Sequence, residues 1–373
     1  MKPARRLWLM VLSLPGFLAA VGAVNFVVDP YGAWPATLID RVYLNNKGCE
    51  RVMTAYRLRT ELPTTLLIGS SRVAWGIPIE QGSRDGFFNA SLPGASLDEL
   101  ATIVRVALRN PQLRNLIWGV DFFSFDEAWP DRDPLLRVRL ERNLRLMISE
   151  TLLSTDALAA SGKLLVRAAG GRTQLPATAA ARLPWPQATV AQGLAASPDI
   201  QGGSDAAQRQ LTGILPTYAN YRLSPEHTAL FRDTVSRARA AGIEVIVFVG
   251  PMSAQELDAI RNGGQWDTFQ EWKRQLVAAQ PYWDFSGYGE LASTNHLFKD
   301  PAHYSPGVGH LILRHLLGQD TTQCGPMSRM VLDNGAWVDA TSIEAHLARQ
   351  ATQRLAYVQR LSGDHEMAEA EPQ

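Results

Sequence analysis

The chain has 373 residues, 46% hydrophobic and 19% charged, which is enough apolar material for a folded core and excludes disorder along the whole length. Lys plus Arg and Asp plus Glu each number 36, so the formal net charge is zero and the basic footprint of a nucleic-acid binder is missing. Two cysteines, Cys49 and Cys324, are too few for a disulfide scaffold or a cysteine-rich zinc module.

The first strong signal is residues 7–28, 22 consecutive positions without a charge. As a helix this run is ~33 Å long, the thickness of a bilayer core. Lys2, Arg5 and Arg6 precede it and no comparable cluster follows, so the positive-inside rule leaves the N-terminus in the cytoplasm and exports the rest. Ala20, Gly22 and Ala23 keep a cleaved signal peptide as the rival. Continuation through Phe26, Val27 and Val28 favours an uncleaved, single-pass anchor. Residues 29–62 read as a juxtamembrane segment, with turn chemistry at Asp29-Pro30-Tyr31-Gly32, and a helix from Glu50 that ends before Pro63.

Short apolar runs then alternate with helical patterns. Strands are expected at 65–68, 87–89, 116–120, 244–249 and 282–285, with helices between them at 96–110 and 224–241. The second of these opens on Ser224-Pro225, an N-cap and N1 pair. Continuous apolar strands separated by helices indicate a parallel sheet covered on both faces, hence an α/β fold of three layers, α/β/α. Residues 135–169 look helical. Residues 170–216 are rich in Ala, Gly, Pro, Gln and Ser and read either as an insertion in the α/β domain or as a linker. After Gly318, residues 324–338 look irregular, 342–361 helical and the last dozen frayed. The expected organisation is a cytoplasmic tip and anchor at 1–28, a juxtamembrane part at 29–62, an α/β domain at 63–318 interrupted at about 126–223, and an extension at 319–373.

Two short segments carry candidate chemistry. Gly69-Ser70-Ser71-Arg72 follows the first strand, at the carboxyl edge where open parallel sheets bind ligands. A serine there needs a base to become a nucleophile. Asp300-Pro301-Ala302-His303 can supply one: the imidazole accepts the proton, and a carboxylate three residues earlier can fix its tautomer. Ser305-Pro306 then opens a helix at 307–317, which puts His303 on a loop just before it. Either segment alone is commonplace, a strand-ending turn and a surface loop.

Their order along the chain resembles the SGNH (GDSL-like) hydrolase family, which carries its serine after the first strand and an Asp-x-x-His near the C-terminal end. The resemblance implies Ser71 as nucleophile, His303 as base and Asp300 as its partner, in a flavodoxin-like fold. Gly94, in Asn89-Ala90-Ser91-Leu92-Pro93-Gly94, matches the family's oxyanion glycine, so backbone N–H groups of Ser71 and Gly94 are the implied oxyanion donors. Where the family has Gly-x-Asn, this chain has Gly119-Val120-Asp121. An ionised carboxylate donates nothing, so Asp121 has to be protonated, aimed elsewhere or replaced as a donor.

With Asp-Pro-Tyr-Gly after an anchor and Val120-Asp121-Phe122-Phe123-Ser124-Phe125, the chain is similar to membrane-anchored alginate O-acetyltransferase proteins of exopolysaccharide systems. This likeness implies a single-pass protein of the bacterial inner membrane with a periplasmic body. It implies esterase or O-acyltransferase chemistry on acyl, usually acetyl, groups of a cell-envelope polysaccharide. A membrane-bound acyl-donor protein is an implied partner; nucleic acid, cofactor and metal are not expected. The alternative is a non-catalytic envelope protein on the same scaffold that binds glycan or holds an export complex together.

Arg72 is a candidate for substrate binding through an acidic sugar, or for a structural pair with a carboxylate such as Asp121. Trp75 and Trp118 read as buried packing before sugar stacking. His296, His310 and His315 lack the convergence of a zinc site. An exported Cys49–Cys324 bridge stays open, since geometry decides it.

Overall fold

The structure, a computed structural model, describes residues 3–34, 50–60, 62–77, 86–141, 143–169, 218–320 and 325–370. In chain order the helices are α1 (Pro3–Val28), α2 (Glu50–Thr60), α3 (Ser71–Gly76), α4 (Leu97–Ala107), α5 (Leu136–Leu140), α6 (Leu144–Thr151), α7 (Thr155–Ala169), α8 (Pro225–Ala240), α9 (Ala254–Asn262), α10 (Trp266–Ala279), α11 (Glu290–Ser293), α12 (Pro306–Leu316), α13 (Pro326–Asn334) and α14 (Ile343–Ala370). The strands are β1 (Thr65–Ile68), β2 (Phe87–Asn89), β3 (Asn115–Val120), β4 (Glu244–Val249), β5 (Tyr282–Asp284), β6 (Phe298–Asp300), β7 (His303–Tyr304) and β8 (Ala336–Val338). The chain divides into two compact units, residues 1–63 with 133–179 and residues 64–132 with 180–373.

The first unit is helical. Asn25 of α1 is fully buried; its amide donates to the Leu152 carbonyl at 2.7 Å and its oxygen accepts from Ser161 Oγ at 2.8 Å. Asp29, just past α1, accepts from the backbone N–H groups of Ala33 and Trp34 at 2.8 and 3.0 Å, which makes the turn expected there. Residues 135–169 are helical as expected, in three segments, α5, α6 and α7, with the side chain of Asn143 capping α6. The run 7–28 lies within α1. Among the described residues no helix is long and apolar enough to cross a membrane.

The second unit is α/β. Its sheet runs β2-β1-β3-β4-β5-β8, parallel through β5 and closed by an antiparallel edge at β8. Strand side chains alternate between faces. Leu67, Ile117 and Phe248 pack with Val308, Leu311 and Ile312 of α12 on one face, while Trp118 meets Phe231 of α8 edge-on at 5.0 Å on the other. Helices therefore lie against both faces, which is why β1, β3 and most of β4 read as continuous apolar runs.

The tail departs from expectation. Residues 326–338 are α13, opened by Pro326 at its first turn, and β8, whose Trp337 pairs in register with Trp283 of β5. α14 is fixed to the sheet by a buried network: Lys273 Nζ lies 2.8 Å from Asp284, 2.8 Å from Ser286 Oγ and 2.9 Å from Gln350 Oε1, and His346 Nε2 is 2.8 Å from Asp284. Cys49, Cys324 and residues 170–216 lie outside the described residues.

Candidate active site

The turn that carries Ser71 is built by small residues. A Cβ at Gly69 would stand 2.9 Å from the Gly119 carbonyl and closer still to Val73, so only glycine lets β1 turn into α3 beside β3. Ser70 caps α3, its Oγ accepting from Arg72 N–H at 3.2 Å. Ser71 is then the first helical residue, at the carboxyl end of a central strand.

Asp300 and His303 arrive from a short two-stranded hairpin. The expected loop is β6 and β7, with Asp300 and His303 as cross-strand partners. Asp300 Oδ1 also accepts from Ala302 N–H at 3.0 Å, which tightens the turn. Ser253 Oγ donates to the Pro301 carbonyl at 2.7 Å, and Ser305 N–H donates to the Leu297 carbonyl at 2.8 Å. The hairpin is thus tied to the start of α9 and its own base.

These two elements, more than two hundred residues apart in sequence, meet. Ser71 Oγ lies 2.8 Å from His303 Nε2. His303 Nδ1 lies 2.7 and 2.9 Å from the two Asp300 oxygens. With Nδ1–H donated to Asp300, Nε2 is left to accept the Ser71 proton. The Asp300 and His303 side chains are 16% and 13% exposed, shielded yet reachable.

The loop after β2 runs alongside the same turn: Ala90 N–H donates to the Leu67 carbonyl at 2.8 Å and Leu92 N–H to the Gly69 carbonyl at 2.9 Å. Asn89, from this loop's start, donates to the Ile77 carbonyl at 2.9 Å and accepts from Ser91 N–H at 3.0 Å. Gly94 has φ +61°, and its carbonyl accepts from Trp129 Nε1–H at 3.2 Å. The left-handed backbone there explains the glycine.

Arg72 takes the structural pairing weighed for it, with Asp121. It is buried, its Nε 3.3 Å from Asp121 and its Nη2 hydrogen-bonded to Glu256, with Tyr218 Oη donating to the same Glu256 oxygen at 2.8 Å. Burial pulls the guanidinium down, but Glu256 and Asp121 outweigh it and hold the arginine above its ordinary range. Burial pushes the Glu256 carboxyl up against the pull of Arg72. Asp121 Oδ1 faces the Arg72 guanidinium at 3.3 Å, where it accepts rather than donates.

Trp75 overturns the expectation of burial. It is 39% exposed, and its ring centroid lies 4.6 Å from that of His303. Lys299 Nζ stands 5.1 Å over the indole. Sequence reasoning missed this contact and the roles of Ser253, Glu256 and Tyr218. A signal for Trp75 was present: it follows Ser71 by four residues, one helical turn. Ser253-x-x-Glu256 after β4 likewise has the form of a helix start at the functional edge of the sheet. Trp118 is buried packing as expected.

No protein-family model matches the chain, and comparison with curated proteins gives no match. The site is therefore read from its own geometry.

Proposed function

We propose that the chain is a serine-dependent acyl-transfer enzyme of SGNH type, an esterase or O-acyltransferase with a three-layer α/β/α domain. The observation that carries this reading is the unbroken hydrogen-bonded line Ser71–His303–Asp300, at 2.8 Å and 2.7 Å. The Ser71 oxygen attacks an acyl carbonyl while Nε2 of His303 takes its proton. Asp300 holds the imidazole in the right tautomer and stabilises the imidazolium. The tetrahedral oxyanion rests on backbone N–H groups of Ser71 and Gly94. The imidazolium then protonates the leaving oxygen, and water or a sugar hydroxyl, deprotonated in turn by His303, resolves the acyl-enzyme.

The acyl group is acetyl and the acceptor a cell-envelope glycan, supplied through a membrane-bound donor protein. This part rests on the resemblance and on the exposed Trp75 beside His303. The uncharged run 7–28, inside α1, supports an inner-membrane anchor with the α/β unit in the periplasm. One observation favours the non-catalytic reading: pairing of Asp121 with Arg72 removes one customary oxyanion donor.

The test is turnover of p-nitrophenyl acetate by the purified full chain. Release of p-nitrophenol that Ser71→Ala abolishes supports the enzyme reading. Absence of turnover in folded wild-type protein overturns it and favours a binding role.

A further inference from the structure

The Ser71–His303–Asp300 line joins two separate elements. Ser71 opens α3, while Asp300 and His303 stand on the β6–β7 hairpin. A proton crosses from Oγ to Nε2 only while the two elements keep their 2.8 Å register. The hairpin is packed by other means: Phe298 and Tyr304 lie in the core with Val73 of α3, and Ser305 N–H closes it on the Leu297 carbonyl. Apolar packing is non-directional, so it leaves the fine placement of His303 to hydrogen bonds.

The first turn of α9 touches both elements. Ser253 is its N-cap, and its Oγ accepts from Glu256 N–H at 3.2 Å. The same Oγ donates its one proton to the Pro301 carbonyl at 2.7 Å, in the turn between Asp300 and His303. One helical turn on, the Glu256 carboxylate takes the guanidinium of Arg72, the residue after Ser71. Ser253 and Glu256 are 4% and 1% exposed, so both contacts are made away from solvent. A second Ser-x-x-Glu in the same unit behaves differently. In α4, Glu99 folds back onto the N–H of its own cap, Ser96, at 3.0 Å and completes a capping box. Glu256 instead turns its carboxylate to Arg72 and to Tyr218 Oη, away from its own helix start.

We propose that Ser253 and Glu256 are positioning residues, and that the first turn of α9 is the clamp that sets the base against the nucleophile. Ser253 acts on His303 through the Pro301 carbonyl, and Glu256 acts on Ser71 through Arg72. Neither touches the reacting atoms. The inference rests on the serine-enzyme reading above and deepens it, by naming what holds the two halves of the triad in register.

The experiment uses the full chain and p-nitrophenyl acetate. Ser253→Gly removes the donor to Pro301 yet keeps a residue that starts helices almost as well as serine. The proposal expects kcat to fall by about 10²-fold, the cost of a small misplacement of a catalytic group, with KM and the urea midpoint close to wild type. Ser253→Thr, which keeps both the hydroxyl and the cap, should recover most of the rate. The decisive readout is a double-mutant cycle. In a His303→Ala background Ser253→Gly should cost the residual activity nothing further, because its effect passes through His303. If Ser253→Gly does not fold, Ser253→Cys, isosteric and a weaker donor, takes its place in the same cycle. A folded Ser253→Gly protein at the wild-type rate overturns the clamp and leaves the enzyme reading intact. So does an equal fold-loss with and without His303, which is the mark of a merely structural role. Wild-type protein that is folded but gives no turnover overturns the enzyme reading and the clamp together.

Discussion

Asp121 and Arg72 form a buried ion pair, Oδ1 to Nε at 3.3 Å, with Arg72 directly after Ser71. The pair ties the end of β3 to the start of α3, and Glu256 ties the same guanidinium to α9. One cation thus fixes the Ser71 turn from two sides. Removing it strands two buried carboxylates. Arg72→Ala is expected to destabilise the α/β unit by about 3–5 kcal/mol, read as a lowered midpoint in urea unfolding. Arg72→Lys should recover only part of that, because an ammonium cannot reproduce a guanidinium fork between two carboxylates.

Asp300 is predicted to matter for rate rather than for folding. Asp300→Asn keeps the shape but favours the wrong imidazole tautomer. kcat for p-nitrophenyl acetate should fall by about 10⁴-fold, with the unfolding midpoint changed little. A drop equal to that of Ser71→Ala, accompanied by loss of the folded state, would mean that Asp300 holds the hairpin and not the base.

Trp75 is predicted to tune the site through its contact with His303. An aromatic pair contributes ~0.5–1.5 kcal/mol, so Trp75→Ala should lower kcat/KM by about 2–10-fold and Trp75→Phe by less. An acetylated oligosaccharide should show the larger loss if the exposed indole also receives a sugar ring. Equal losses for the oligosaccharide and for p-nitrophenyl acetate would confine Trp75 to the imidazole.

Much of this was legible in the residues. β1 and β4 announce themselves because both sheet faces are covered and their side chains are apolar in sequence. Ser71, Asp300 and His303 could be named because a nucleophile at the carboxyl edge of a strand needs a base and an orienting carboxylate. What could not be read was geometry over long separations. Nothing local says that Glu256 reaches Arg72, or that Trp75 stays exposed. β8 and the α14 attachment depend on Lys273, Asp284 and His346 meeting, and no short-range pattern encodes that encounter. Asp121 stands where a Gly-x-Asn was looked for, yet only its 3.3 Å contact with Arg72 explains what the carboxylate does.

The Asp284 network predicts acid sensitivity. Burial pushes the Asp284 carboxyl up, but Lys273 and His346 outweigh it and hold it well below the usual carboxylate range. Its folded pKa is therefore below the unfolded value of about 3.9, so its stabilisation is complete above that pH and lost as pH falls through the acid range. Asp284→Asn leaves Lys273 buried without its counter-charge and should cost about 3–5 kcal/mol at neutral pH. The variant's stability should also decline less steeply than wild type below pH 4, followed by denaturant unfolding at a series of pH values.

The most direct test of the account is the covalent state of Ser71. The full chain, incubated with p-nitrophenyl acetate and quenched in acid, is measured by intact mass and then mapped by peptide. The account predicts one acetyl group on Ser71, absent from Ser71→Ala. A folded wild-type protein that acquires no acetyl group, or acquires it elsewhere while Ser71 stays free, would contradict it.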